Sequence, residues 1–312
     1  MTLDQASEDL LVVYSARGRR PIHLSTPESA RAAGAQGWLP LGTGTAMCSV
    51  SEHVVGSIGG EVRVRVLRPA ARTSAVVVYL HGGGWLLGDI DGYDALGRIL
   101  AARSGATVVL ANYRKAPEHP FPLPVEDAWA ALRWAGEHRA SLAGEDVGPV
   151  PLIVAGDSAG GNLAAVTALR AREAGGPRIS QQPPICSITD CDRDRPSYLD
   201  PANQLLLSAD TMAWFFDHYV GEGDPPTRRS ARCAPGTTGG CGHHAGPRRP
   251  RSPPRRGTRL RRPTSCRGVR VDVRAYPDQV HGFFAMVTVL PASADAMDFL
   301  AGPHPRRAHV GA

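Results

Sequence analysis

The chain has 312 residues, 42% of them hydrophobic, and a formal net charge of +6 at pH 7. That length suits one large α/β domain with a sizeable core, and no apolar run approaches the ~18 residues of a membrane span, which excludes a membrane-spanning reading. The acidic start, Met1 to Leu10, lacks a basic-then-apolar leader pattern and the six cysteines form no disulfide framework, so a cytoplasmic protein is expected.

In chain order, residues 5–36 read as helical, with Ser25-Thr26-Pro27 as a helix start. Glu61 to Leu67 alternates charged and apolar residues, which predicts a half-exposed antiparallel edge strand. Three apolar runs, Ala75–Leu80, Ala106–Ala111 and Pro151–Ala155, each end in a turn signal, as parallel strands covered on both faces do. Helical stretches are predicted at Tyr93–Arg103, Pro124–His138 and Ala159–Ala174, the last closed by Gly175-Gly176. This strand–helix alternation predicts an α/β fold with a mostly parallel sheet and helices on both faces. At Gln181–Ser187 a further buried strand belongs, but Pro183 and Pro184 cannot donate to its ladder. Residues 205–220 predict a helix capped by Ser208, with Met212, Phe215, Phe216 and Tyr219 at helical spacing as a packing face. Arg270–Tyr276 predicts a last strand, leading into a turn that carries His281.

Two strand ends carry the chemistry. Gly156-Asp157-Ser158-Ala159-Gly160-Gly161 is a G-x-S-x-G element directly after an apolar strand, the context that lifts a serine hydroxyl above a sheet. A serine needs a base in hydrogen-bond reach, and His281 follows it in the chain order Ser…His on a turn after the last expected strand. His81-Gly82-Gly83-Gly84-Trp85 supplies glycine backbone where N–H groups must approach an anion closely. Gly82, Gly83 and Ala159 are the expected oxyanion donors, with the N-terminus of the helix at Ala159 adding its positive end. His81 and Gly84 complete that loop, His81 shaping it rather than acting as a base. No cofactor and no metal is expected, and neither glycine cluster forms a dinucleotide G-x-G-x-x-G after a strand.

The basic balance comes from one segment. Residues 225–268 hold twelve arginines, eight prolines, seven glycines and no Asp or Glu. The 23 remaining Lys and Arg face 29 Asp and Glu, a balance of −6. Clustered arginines can neutralise phosphates, but the segment lacks aromatics for base stacking, so no nucleic-acid partner is expected. Its cysteines and histidines have no C-x-x-C pairing and fit no common zinc site.

The motifs His81–Trp85, Asn112–Pro122, Val125–Ala128, Gly156–Gly161 and Tyr276–Phe283 together resemble the hormone-sensitive-lipase-like branch of the α/β-hydrolases, which includes bacterial short-chain esterases and N-acetyl hydrolases of antibiotic pathways. The resemblance implies a single α/β-hydrolase domain over residues 1–312, with cap elements at 1–50 and 190–222. It implies Ser158 as nucleophile, His281 as base, and a short acyl, acetyl by preference, on a small-molecule ester or N-acetyl amide. It also implies a carboxylate about thirty residues before the histidine. That place falls near Arg251, where no carboxylate is present. The composition of 225–268, and of 181–187, is that of an out-of-frame translation of GC-rich DNA. The alternative is an impaired or binding-only relative that lacks the third catalytic group.

Overall fold

The computed structural model describes residues 3–18, 20–37, 42–144, 147–148, 150–189, 196–220 and 271–302. Its centre is made by three apolar strands, β3 (Val76–Leu80), β4 (Thr107–Asn112) and β5 (Leu152–Asp157), whose residues are almost all buried. They run parallel, with β4 and β5 on either side of β3. Two strands that precede them, β1 (Ser49–Ser57) and β2 (Gly60–Arg68), form an antiparallel hairpin that pairs through β2 with β4. A two-residue strand, β6 (Pro184–Ile185), pairs parallel with β5 and completes the order β1-β2-β4-β3-β5-β6.

Side chains alternate across this sheet and build two cores. Val76, Val78 and Leu80 face one side with α4 (Leu123–Glu137) and α6 (Ala159–Glu173), while Val77 and Tyr79 face the other with α3 (Asp94–Ser104) and α9 (Pro291–Ala301). The helices lie where the apolar periodicity places them. Gly105 ends α3 in the left-handed conformation, returning its N–H to the Ala101 carbonyl.

Residues 5–36 hold two helices, α1 (Gln5–Ala16) and α2 (Pro27–Gly37), separated by a 3₁₀ turn at Ile22–Leu24. The Thr26 hydroxyl caps α2 by accepting the Ser29 N–H at 3.2 Å. α5 (Arg139–Ala143) follows α4 directly, and α7 (Pro196–Leu199) is a single turn. α8 (Ala209–Val220) is capped by Ser208, whose Oγ accepts the Thr211 N–H at 3.1 Å. Among the described residues no helix is long and apolar enough to cross a membrane.

Two expectations are corrected. β2 is not an edge strand. Its alternation records one face buried and one exposed, which says nothing about partners along the hydrogen-bonding direction. The edge is β1, whose side chains are mostly exposed and carry no strong pattern. Residues 271–276 form no strand despite their alternation, because a strand needs a neighbour to pair with and no described strand lies beyond β6. At 181–187 the break expected from the prolines is seen: pairing is cut to the two residues of β6 and one bridge, Ile153 to Gln181, since neither Pro183 nor Pro184 has an N–H to give. The segment 225–268 lies outside the described residues.

Candidate active site

β5 delivers Asp157 and Ser158 to the top of the sheet, and the chain turns there without a spacer into α6. Ser158 sits at φ 52° and ψ −118°, a strained conformation for a residue with a Cβ. The surroundings hold it there. Its N–H donates to the Ile185 carbonyl at 2.8 Å, and its own carbonyl accepts from Asn162 and Ile188 at 3.2 and 3.3 Å. The sharp turn brings α6 so close to the end of β3 that a Cβ on Gly160 would overlap the Leu80 carbonyl. That is why the turn reads Gly-Asp-Ser-Ala-Gly-Gly.

His281 reaches this serine from a turn far along the chain. Its Nε2 lies 3.0 Å from Ser158 Oγ, within the range for proton transfer. Buried Val280, Phe283 and Phe284 fix the turn, and the Ser293 hydroxyl donates to the Phe284 carbonyl at 2.6 Å. Helix α1 rests on the same turn, where the Asp4 N–H donates to the Asp278 carbonyl at 3.1 Å.

The glycine loop after β3 is held peptide by peptide. The His81 carbonyl accepts from the Tyr113 hydroxyl at 2.8 Å, and the Gly82 N–H donates to Asp157 Oδ1 at 3.0 Å and to the Tyr93 hydroxyl at 3.1 Å. His81 Nδ1 lies 2.8 Å from the Gly82 carbonyl. A carbonyl only accepts, so Nδ1 carries the proton. The Gly83 carbonyl accepts from Leu86 and Leu87 at 3.2 and 2.8 Å. These peptides are trans, so each N–H points opposite to its anchored carbonyl. The N–H groups of Gly83 and Gly84 donate to no described group.

One site expectation is therefore corrected. Gly82 spends its N–H on Asp157 and Tyr93, leaving Gly83 and Gly84 as the loop's open donors. Ala159, first residue of α6, has no acceptor within its own helix. His81 is fully buried beside Lys115, and burial followed by that positive charge drives its pKa down to about 3. It stays neutral and stacks on Tyr113, ring centroids 4.3 Å apart, which suits a scaffold rather than a base.

Asp157 was not singled out by the sequence, although its place at the end of a buried apolar strand is the signal that could have marked it. It is buried, and accepts from Tyr79 (2.9 Å) and Tyr93 (3.0 Å) as well as Gly82. Desolvation outweighs these hydrogen bonds and pushes its pKa up to about 6. Helices α8 and α2 also meet the loop. Phe215 of α8 lies directly over Gly84, Trp85 stacks on Tyr219 with centroids 4.2 Å apart and planes 2° from parallel, and Arg31 of α2 donates to the Leu86 carbonyl at 2.8 Å. The place expected for the third catalytic group, near Arg251, lies outside the described residues. Among the described residues no cluster of three His, Cys, Asp or Glu could hold a metal ion.

A family profile described as "alpha/beta hydrolase fold" matches residues 77–244. The chain is 38% identical over 263 residues to a carboxylesterase, NlhH, of Mycobacterium tuberculosis, covering 79% of each protein. It is 35% identical over 167 residues to an arylacetamide deacetylase of Bos taurus, covering 51% of this chain and 42% of that one. An ester-hydrolase structure from the metagenome of Lake Arreo superposes with a TM-score of 0.78 at 28% identity, covering 96% of this chain and 97% of that one. With the elbow, the glycine loop and the sheet order already in place, this chain belongs to the α/β-hydrolase fold family, in its hormone-sensitive-lipase-like branch.

Proposed function

We propose that this carboxylic ester hydrolase carries a short acyl group, acetyl by preference, on Ser158. The observation that bears the reading is the 3.0 Å approach of His281 Nε2 to Ser158 Oγ at the N-terminus of α6. His281 Nε2 takes the hydroxyl proton as Oγ attacks the ester carbonyl carbon. The oxyanion that forms is received by the N–H groups of Gly83, Gly84 and Ala159, each such donor typically worth roughly 3–4 kcal/mol of barrier. Collapse expels the alcohol, which takes the proton from His281. Water then gives its proton to Nε2 and attacks the acyl carbon, and the acid leaves as Ser158 regains its proton.

The relative named arylacetamide deacetylase favours a second substrate class, an N-acetyl amide, with an N-acetylated antibiotic-pathway intermediate as one natural form. The acid-free composition of 225–268 favours a third reading, an impaired or binding-only protein. Assaying p-nitrophenyl acetate beside an N-acetyl arylamide, with a serine-directed phosphonate, separates them. Ester turnover abolished by Ser158→Ala, with phosphonate adduct only on Ser158, is the expected result. Faster amide than ester turnover selects the second class, and a folded chain with no adduct overturns the hydrolase reading.

A further inference from the structure

We propose that Asp157 is a positioning residue that holds the oxyanion loop in register with the nucleophile beside it. The inference rests on the acyl-transfer reading above and adds a residue with no place in that proton transfer. Asp157 Oδ1 accepts the Gly82 N–H at 3.0 Å and the Tyr79 hydroxyl at 2.9 Å, and Oδ2 accepts the Tyr93 hydroxyl at 3.0 Å. Tyr93 closes the ring, its oxygen lying 3.1 Å from the same Gly82 N–H. Asp157 precedes Ser158 in the chain, so one short covalent link joins the nucleophile to the clamp on the loop that would receive its oxyanion.

A group that accepts on both ends meets every donor at this place. Three donors converge on two oxygens, and a carboxylate meets all three with charge-assisted bonds, roughly twice as strong as neutral ones. The negative charge itself opposes a growing oxyanion nearby. What Asp157 offers catalysis is therefore geometry and not field. Loosening the Gly82 N–H tilts the Gly83 N–H, because the two peptides meet at the Gly82 α-carbon and a single hydrogen bond, His81 Nδ1 to the Gly82 carbonyl, holds the second. Displacements near 1 Å at such a site cost on the order of 10²-fold in rate.

A positioning role predicts a kcat effect without a KM effect. With kcat expressed per phosphonate-titrated Ser158, Asp157→Ala is expected to lower it about 10- to 100-fold while KM stays within about twofold. Asp157→Asn keeps an acceptor for Gly82 and is expected to stay within about fivefold of the parent. Should Asp157→Ala fail to fold, Tyr93→Phe removes one strut and is expected to cost about 3- to 10-fold in kcat alone. Hydrogen exchange at the Gly82 amide reads the clamp directly, with protection in the parent lost in Asp157→Ala. A folded Asp157→Ala with unchanged kcat per site, a loss carried by KM, or unchanged Gly82 protection overturns the proposal. A parent chain that the phosphonate does not label overturns the acyl-transfer reading instead, and the exchange result then decides the clamp alone.

Discussion

Asp157 costs the protein stability at neutral pH. Its folded pKa of about 6 lies above the ordinary 3.8 because burial outweighs the three hydrogen bonds it accepts. Between those two values the native state binds a proton that the unfolded chain has released, so stability falls as pH rises from about 4 to about 6 and then levels. The burden above that window is on the order of 3 kcal/mol. The titratable groups that face it are the hydroxyls of Tyr79 on β3, Tyr93 before α3 and Tyr113 after β4, with Cys186 adjacent to Tyr79. All three hydroxyls stay protonated here, since burial pushes them well above their usual range. Asp157→Asn is therefore expected to raise the melting temperature at pH 7.5 by several degrees, with the gain vanishing near pH 4. Melting curves of both proteins across that range check it; a gain independent of pH would contradict the buried charge. At this scale Ser158 and His281 were legible, because an elbow and a late histidine are local patterns. Which glycine amides stay open was not. That depended on where Asp157, 75 residues away from Gly82, places its oxygens.

Helix α8 and the glycine loop after β3 are one packed unit. A Cβ on Gly84 would overlap the Phe215 ring, and Gly84 sits at φ 62°, where a side chain is strained. Tyr219, one turn on, covers Trp85 by stacking, and its carbonyl accepts the Phe121 N–H at 2.8 Å. Helical spacing in 205–220 disclosed the apolar face of α8, and Met212, Phe215, Phe216 and Tyr219 are all buried. It could not disclose that this face lies on the glycine loop after β3, far earlier in the chain, because periodicity names a face and never its partner. The same limit explains β1, whose exposed side chains leave no pattern to read, and 271–276, whose alternation had no strand to meet. Gly84→Ala is expected to lower kcat at least about tenfold by tilting the loop. Adding Phe215→Ala should restore part of that loss by making room. Kinetics of the two single variants and the double variant measure the coupling. A double variant no faster than Gly84→Ala would assign the defect to backbone strain rather than to the ring.

For the molecule as a whole, the fold brings two of the three expected catalytic groups together, and the place expected for the third, near Arg251, carries no carboxylate in the sequence. No Asp or Glu occurs between Asp224 and Asp272, while the family pattern puts the orienting carboxylate near Arg251. In serine proteases, losing that group's function lowers kcat about 10⁴-fold, and the oxyanion hole and binding alone still leave about 10³–10⁴ over water. The chain as written is thus expected to acylate slowly on Ser158 with an activated ester and to turn over orders of magnitude below a relative with a complete set. An out-of-frame translation would account for both this deficit and the Arg-, Pro- and Gly-rich composition of 225–268. Another reading frame of the DNA encoding 222–270 should contain an aspartate about thirty codons before His281, preceded by an apolar β-branched run. Expressing the chain with that frame restored should raise kcat on p-nitrophenyl acetate by about 10³-fold or more at nearly constant KM, because an orienting carboxylate acts on the imidazolium of the transition state and not on the bound ester. If neither alternative frame holds such a stretch, the missing carboxylate is native to this protein, and the same assay on the unaltered chain then measures what Ser158, His281 and the clamped glycine loop achieve without it.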